Sequence, residues 1–159
     1  MMARRSSQKF GYEIRKLERH DHLIWLRLWS AYLRFYDETL PDATSQRTWE
    51  RLVDEMRPGI TGLVAEQADG CIVGFTHFLA QRHTWHVKKV VYLQDLYVER
   101  SSRGRGVGGA LINAVFREAA DIGAPHVYWL TKSDNHSARK LYDRMGEITD
   151  FVRYQTVQG

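Results

Sequence analysis

The stretch from 88 to 131 reads as strand, glycine-rich loop, helix and strand. KKVVYLQDLYV (88–98) is dense in β-branched and aromatic residues, the composition of a pleated, half-buried strand. RGRGVGGAL (103–111) then leads into a helix over 108–122. Leu111, Val115 and Ala119 share one face of it, and Gly123 and Pro125 end it. HVYWLT (126–131) is the second strand. Two strands of one sheet joined through a helix run parallel, with a right-handed crossover. This unit sets the class as α/β, with part of the sheet parallel and covered by helices.

The remaining segments fill in a mixed sheet. YEIRKL (12–17) alternates as a first strand, and a helix follows over 20–36 with Asp21 near its start. Trp25, Trp29, Tyr32 and Tyr36 recur at helical spacing and are expected in the core. A second helix is expected over 48–56, closed by Pro58 and Gly59. ITGLVAEQ and CIVGFTHFLAQ flank Ala68-Asp69-Gly70, a hairpin signal, and the strand at 88–98 should pair with the second of them. Between them lies HTWH, where His83 and His86 lack companions at metal-ligand spacing, so no metal is expected. A last helix over 135–145 ends at Gly146, and FVRYQTV closes the chain as a strand. The expected order is β-α-α-β-β-β-α-β-α-β, one domain over 10–159 after a disordered basic tail at 1–9.

At 159 residues the chain can bury a core of its own, and no apolar run is long enough to span a bilayer. The start, MMARRSSQKF, is basic but lacks the apolar stretch and cleavage site of a signal peptide. A lone Cys71 cannot form an internal disulfide, which suits a reducing cytoplasm. Its place in an apolar strand pattern suggests a buried thiol rather than a nucleophile. The net charge of +4 permits an anionic partner without naming one. Arg100, Arg103 and Arg105 crowd one loop, while DETLPD (37–42) is acidic. Without a nucleic-acid motif, the basic balance does not argue for a nucleic-acid partner.

Three phosphate-binding templates compete for the glycine loop. A P-loop fails, because Gly109 is followed by Ala110 with neither a lysine nor a hydroxyl. Gly104, Gly106 and Gly109 satisfy the dinucleotide spacing, but ERSSR separates Val98 from Gly104, where that fold runs almost directly from strand into glycine. The third, Arg/Gln-x-x-Gly-x-Gly/Ala, is met by Arg103-Gly104-Arg105-Gly106-Val107-Gly108. Such glycines let successive N–H groups converge on an anion at a helix N-terminus, a shape suited to a pyrophosphate without magnesium.

LQDLYVERSSRGRGVGGALI, followed by YWLTKSDNHSARKLYDRMG, resembles motifs A and B of the GNAT superfamily of N-acetyltransferases. Within it, the LxDLYV strand, the Trp85 loop and N-x-x-A-x-x-L-Y look most like the diamine (spermidine/spermine-type) and histone/polyamine acetyltransferases. The resemblance implies a mixed sheet whose splayed parallel strands form an acetyl-CoA cleft. Main-chain groups of Leu96, Tyr97 and Val98 would pair with the pantetheine arm. Amides of Arg103, Gly104, Arg105, Gly106, Val107, Gly108 and Gly109 would hold the pyrophosphate. Asn135 would bond the pantetheine, with Ala138 beside it and Arg139 or Lys140 near the phosphates. Tyr142 would face the thioester sulfur. Relatives are commonly dimers, some exchanging C-terminal strands, so a homodimer is expected.

Acetyl transfer needs a neutral amine, a donor for the oxyanion and a proton for the leaving thiolate. The resemblance offers a backbone N–H of the LYV strand for the second and Tyr142 for the third. Relatives often carry a glutamate at the position of Gln94, and a glutamine can orient water but cannot take a proton. Asp95 should alternate to the other face of the strand and bond neighbouring backbone. His77, Asp37 or Glu38 could act through water; a solvent-chain exit ranks before a single dedicated base. For the acceptor, Asp37, Glu38 and Asp42 beside Trp and Tyr suit a cation, with Trp85 and Asp95 as further contacts. A polyamine, a lysine-like small amine or a protein lysine fits. A non-catalytic acyl-CoA-binding module is the alternative that the missing glutamate raises.

Overall fold

A computed structural model describes residues 11–57 and 59–158, so the tail at 1–9 and Pro58 lie outside the described residues. β1 (Tyr12–Lys16) is followed by a 3-10 turn and α1 (His22–Phe35), then α2 (Asp42–Leu52). β2 (Thr61–Gln67), β3 (Ile72–Gln81) and β4 (Val90–Val98) form a meander. The crossover helix α3 (Val107–Asp121) leads to β5 (Val127–Trp129), and α4 (His136–Met145) follows. The sheet is five-stranded in the order β1-β2-β3-β4-β5. Neighbours are antiparallel except β4 and β5, which are parallel and joined through α3. The fold is thus α/β, with helices on both faces of a mixed sheet.

Strand alternation divides the core. Leu63, Val73, Phe78 and Leu93 face α3, where they meet Leu111 and Val115. Val64, Ile72 and Phe75 turn the other way, against Trp25, Trp29 and Trp49 of α1 and α2. The aromatic stripe of α1 therefore splits: Trp25 and Trp29 are buried at 1% and 6% exposure. Tyr32 and Tyr36, nearer the C-terminal end, are only half-buried.

Several boundaries differ from the sequence reading. The second helix starts at Asp42 rather than 48, because Pro41 sits in the extended conformation immediately before it. It ends at Leu52, and Asp54 Oδ1 then takes the amides of Met56 and Arg57, turning the chain. Cys71 is exposed, not buried, since Asp69 Oδ1 accepts the Cys71 amide at 2.9 Å and holds it in the hairpin turn. FVRYQTV is not a strand. The adjacent sheet edge, β5, offers three residues, and Phe151 and Tyr154 remain 78% and 91% exposed. Gly146 ends α4 through close approach rather than a left-handed turn: a Cβ there would lie 2.7 Å from the Trp129 ring.

Candidate active site

β4 and β5 share a register only from Val91 to Leu93, opposite Val127 to Trp129. Beyond that point β4 continues along β3 to Val98, so its other edge is left without a strand. A bulge marks the parting. His77 pairs with Asp95 and the next residue, Phe78, with Leu93, leaving Gln94 as the extra residue of β4. The Glu99 amide donates to Val73 of β3 at 2.8 Å. Main-chain groups alternate between neighbours along a strand, so those of Tyr97 turn to β3 while Leu96 and Val98 face the open edge.

Just past this edge the glycine loop curls into α3. Gly104 and Gly106 have φ of 75° and 82°, the left-handed region that an L side chain enters at a cost. The first amide to find a helical acceptor is that of Ala110, which donates to the Gly106 carbonyl at 3.0 Å. The amides of Val107, Gly108 and Gly109 precede it at the positive end of a 15-residue helix. Arg105 is exposed at the rim. Arg103 folds back instead: its Nε donates to the Val98 carbonyl at 2.9 Å, and its guanidinium lies over Phe35 and Tyr97, 5.7 and 5.6 Å from the ring centroids. The side chain thereby bridges α1 to the end of β4.

On the far side of the opening stands α4. Asn135 caps it, its Oδ1 accepting the Ala138 amide at 3.5 Å while Nδ2 donates to Thr131 at 3.1 Å. Arg139 donates to the Ser133 carbonyl at 2.7 Å, fixing the loop before the helix. Lys140 lies on the same helix and is exposed. Phe35, Tyr36, Lys132, Asp134 and Asn135 line a cleft of about 230 Å³ here, with Lys132 Nζ 5.5 Å from the Tyr36 ring centroid.

Tyr142 packs edge-on against Trp129, 5.8 Å between centroids. Burial pushes its phenol up to about 12, with Tyr36 adding to the shift. Burial also raises the Tyr32 phenol, and Asp95, Tyr36 and Tyr142 add to that. Tyr32 belongs to α1 and Tyr36 caps its C-terminal end, on one side of the sheet, while Tyr142 comes from α4 on the other. Tyr36 and Tyr142 interact electrostatically near the end of the sheet where β4 and β5 have parted.

Beside the bulge, a chain of four hydrogen-bonded side chains lies on the α1 face of the sheet. The indole N–H of Trp25 donates to His77 Nε2 at 3.0 Å, and His77 Nδ1 lies 2.9 Å from Asp95 Oδ2. Indole nitrogen only donates, so Nε2 accepts, the proton sits on Nδ1, and Nδ1–H donates to the carboxylate. Tyr32 donates its hydroxyl to Asp95 Oδ1 at 2.7 Å. Asp95 therefore bonds side chains of β3 and α1 rather than neighbouring backbone. Its carbonyl, not its carboxylate, takes Thr76 Oγ1. His77, 1% exposed with both nitrogens engaged, has no lone pair to offer a water.

The expected substrate residues are not all brought together. Gln94 is exposed at the bulge. Asp37 and Glu38 are exposed at the end of α1, where they close the helix: the Asp37 amide donates to Arg34 and that of Glu38 to Leu33. Asp42 begins α2. Trp85 is 76% exposed in the loop before β4, at the end of the strand opposite the open edge, and its ring contacts His83. Among the described residues no group of His, Cys, Asp and Glu converges to hold a metal, and no helix is long and apolar enough to cross a membrane.

An open strand edge leading to a curled, glycine-rich helix start fits an extended pantetheine arm and its pyrophosphate. The comparisons with known proteins agree. Residues 25–146 match the model of the acetyltransferase (GNAT) family. The chain is 35% identical to the D-amino-acid N-acetyltransferase HPA3 of Saccharomyces cerevisiae over 89% of this chain and 88% of that protein. It is 32% identical to a thialysine N-epsilon-acetyltransferase of Bos taurus over 48% of this chain and 44% of that one. In fold it matches the aminoglycoside N-acetyltransferase AAC(6')-Iy, solved in complex with CoA, with a TM-score of 0.79 and 23% identity over 99% of this chain and 100% of that one. The yeast and bovine relatives are named for D-amino acids and thialysine and the solved structure for aminoglycosides, not for the diamines or histones expected from the motifs. The chain belongs to the acetyltransferase (GNAT) family and is an N-acetyltransferase that uses acetyl-CoA.

Proposed function

We propose that the acceptor is a small primary amine of amino-acid or lysine-like size, acetylated by direct attack within a ternary complex. The observation that carries this reading is the edge of β4 left without a strand beyond Leu93, followed directly by the glycine-rich start of α3. That edge accounts for the acetyl donor, so the acceptor is a separate, second substrate. The names of the yeast and bovine relatives support an amino-acid-like acceptor.

Acetyl-CoA supplies an acetyl group activated as a thioester. The main-chain edges of Leu96 and Val98 hold the arm, and the amides from Gly104 to Gly109 face its pyrophosphate. For the Val98 carbonyl to take part, Arg103 releases it. The amine nitrogen attacks the carbonyl carbon, the N–C bond forms and the C–S bond breaks. One proton leaves the nitrogen and one reaches the sulfur, giving an amide and a free thiol. The donor to the oxyanion in this reading is a backbone N–H of the 96–98 stretch of β4. Tyr142, held as a neutral phenol, donates a hydrogen bond to the departing sulfur. With its phenol near 12 and an ordinary thiol near 8.5, full proton transfer is uphill by roughly 5 kcal/mol, so stabilisation of the thiolate is its main contribution.

Thiol release measured across D- and L-amino acids, lysine-like amines, polyamines and lysine peptides tests the proposal. Turnover strongest with amino-acid-sized amines supports it, and turnover confined to polyamines or peptides refutes it. We further propose a homodimer, supported by the exposed apolar tail at 148–157 beside a three-residue edge strand, and a reducing cytoplasmic location, supported by a single cysteine.

A further inference from the structure

We infer that Asp95 is the carboxylate that meets the acceptor's amine, and that Trp25 and His77 are positioning residues that hold it there. This rests on the proposed amine acetylation.

The need arises at the bulge. Gln94, the extra residue of β4, has an amide that cannot accept the amine's proton. The same bulge turns the carboxylate next in sequence, Asp95, to the α1 face. On an unbroken strand Asp95 would share a face with Leu93, which packs toward α3. With the bulge it joins His77 and Tyr97 on the α1 face. There its Oδ1 accepts from the Tyr32 hydroxyl, whose ring packs edge-on against Tyr36 and Tyr97.

The carboxylate is neither sealed nor free. Its side chain is 13% exposed, against 1% for His77. A carboxylate has about four lone-pair sites, and two are used by His77 Nδ1–H and Tyr32 O–H, leaving about two for further donors. Both existing donors are fixed in direction. Trp25 can only donate, so His77 must keep its proton on Nδ1, aimed at Asp95. Tyr32, spending its hydrogen on Asp95, presents its oxygen lone pairs as a second acceptor beside the carboxylate. Carboxylate and phenol oxygen together match an N–H-rich amine among aromatic faces.

The chemistry follows the charge. Attack by a neutral amine gives its nitrogen a developing positive charge, which a carboxylate at hydrogen-bond distance stabilises as it forms. The nitrogen's proton then passes to Asp95 and on to solvent. His77 has no part in that transfer, because both its nitrogens are committed.

The test uses the full chain and four proteins: wild type, Asp95→Asn, His77→Gln and His77→Leu. For each, acetyl-CoA affinity is measured by calorimetry and kcat/KM for the best amine by thiol release. An asparagine can accept from His77 but must donate to Tyr32, turning its hydroxyl and removing the charge. Asp95→Asn should therefore lose about 100-fold in kcat/KM while its acetyl-CoA affinity stays within about twofold. A glutamine at 77 can accept from Trp25 and donate to Asp95, so His77→Gln should retain far more activity than His77→Leu at equal acetyl-CoA affinity. Undiminished kcat/KM in Asp95→Asn overturns the assignment alone. If that variant fails to bind acetyl-CoA, the histidine pair decides: equal amine kinetics in the two overturns it, and rescue by glutamine supports it. A wild type that acetylates no amine overturns the proposed function and this assignment together.

Discussion

The indole N–H of Trp25 donates to Nε2 of His77 at 3.0 Å, and this one bond fixes which nitrogen of a buried histidine carries its proton. Both rings are 1% exposed, so no water substitutes if the donor is lost. Trp25→Phe leaves Nε2 without its donor and empties space beside Trp29 and Trp49. The expected cost is about 3 kcal/mol of stability, read from urea or thermal unfolding. A cost below about 1 kcal/mol would show that the bond carries little.

At the glycine loop the sharpest residue is Gly106, with φ of 82° at the N-cap of α3 and a prospective Cβ 3.4 Å from the Tyr12 hydroxyl. Gly106→Val forces a β-branched residue into the left-handed region, at a cost of order 1–3 kcal/mol. The loop relieves that strain by unwinding the cradle. Acetyl-CoA affinity should fall by at least about tenfold, as measured by calorimetry on the folded variant. Unchanged affinity would remove the loop from the binding site.

Tyr142→Phe keeps the ring against Trp129 and removes the hydroxyl. Acetyl-CoA affinity should persist, while kcat falls by about 10–100-fold. The pH profile is a second readout. Because the folded-state phenol is raised to about 12, its donor form persists well above pH 10. Wild-type kcat/KM should therefore climb with pH as the amine loses its proton, with no falling limb from Tyr142 below about pH 11. The sign for stability is the opposite: the raised phenol favours the folded state at neutral pH, and that advantage is lost between about pH 10 and pH 12 as the unfolded chain ionises first.

Asp37 closes α1 with φ of 56°, a conformation better suited to glycine. Asp37→Gly should raise stability by up to about 1 kcal/mol. The same variant asks whether Asp37 touches the acceptor: KM for the amine should rise if it does and stay level if it serves only the helix end.

The crossover unit was legible because its signals are local: a β-rich run, a glycine loop and an amphipathic helix ending in Gly123 and Pro125. The starts of the two following helices came within a residue for the same reason, at 108 against Val107 and at 135 against His136. The hydrogen-bonded chain beside the bulge was not legible. Trp25, His77 and Asp95 sit on three elements and meet through strand pairing. The bulge that turns Asp95 toward α1 is a one-residue shift of register that alternation alone argues against. Strict alternation paired the Asp95 carboxylate with neighbouring backbone even while the residue was counted among the acceptor's contacts, and His77 looked available because its indole partner lies 52 positions away in the chain. The closing strand failed for a related reason. FVRYQTV has strand composition, but composition does not supply an edge to pair with, and β5 is too short to provide one.

The most direct test of the account is to incubate the protein with acetyl-CoA and an amino-acid-sized amine, then measure free thiol and acetylated amine together. The account predicts one acetyl group on the amine nitrogen and one equivalent of thiol per turnover, both dependent on Gly106. Tight acetyl-CoA binding without acetylated product from any amine would contradict it.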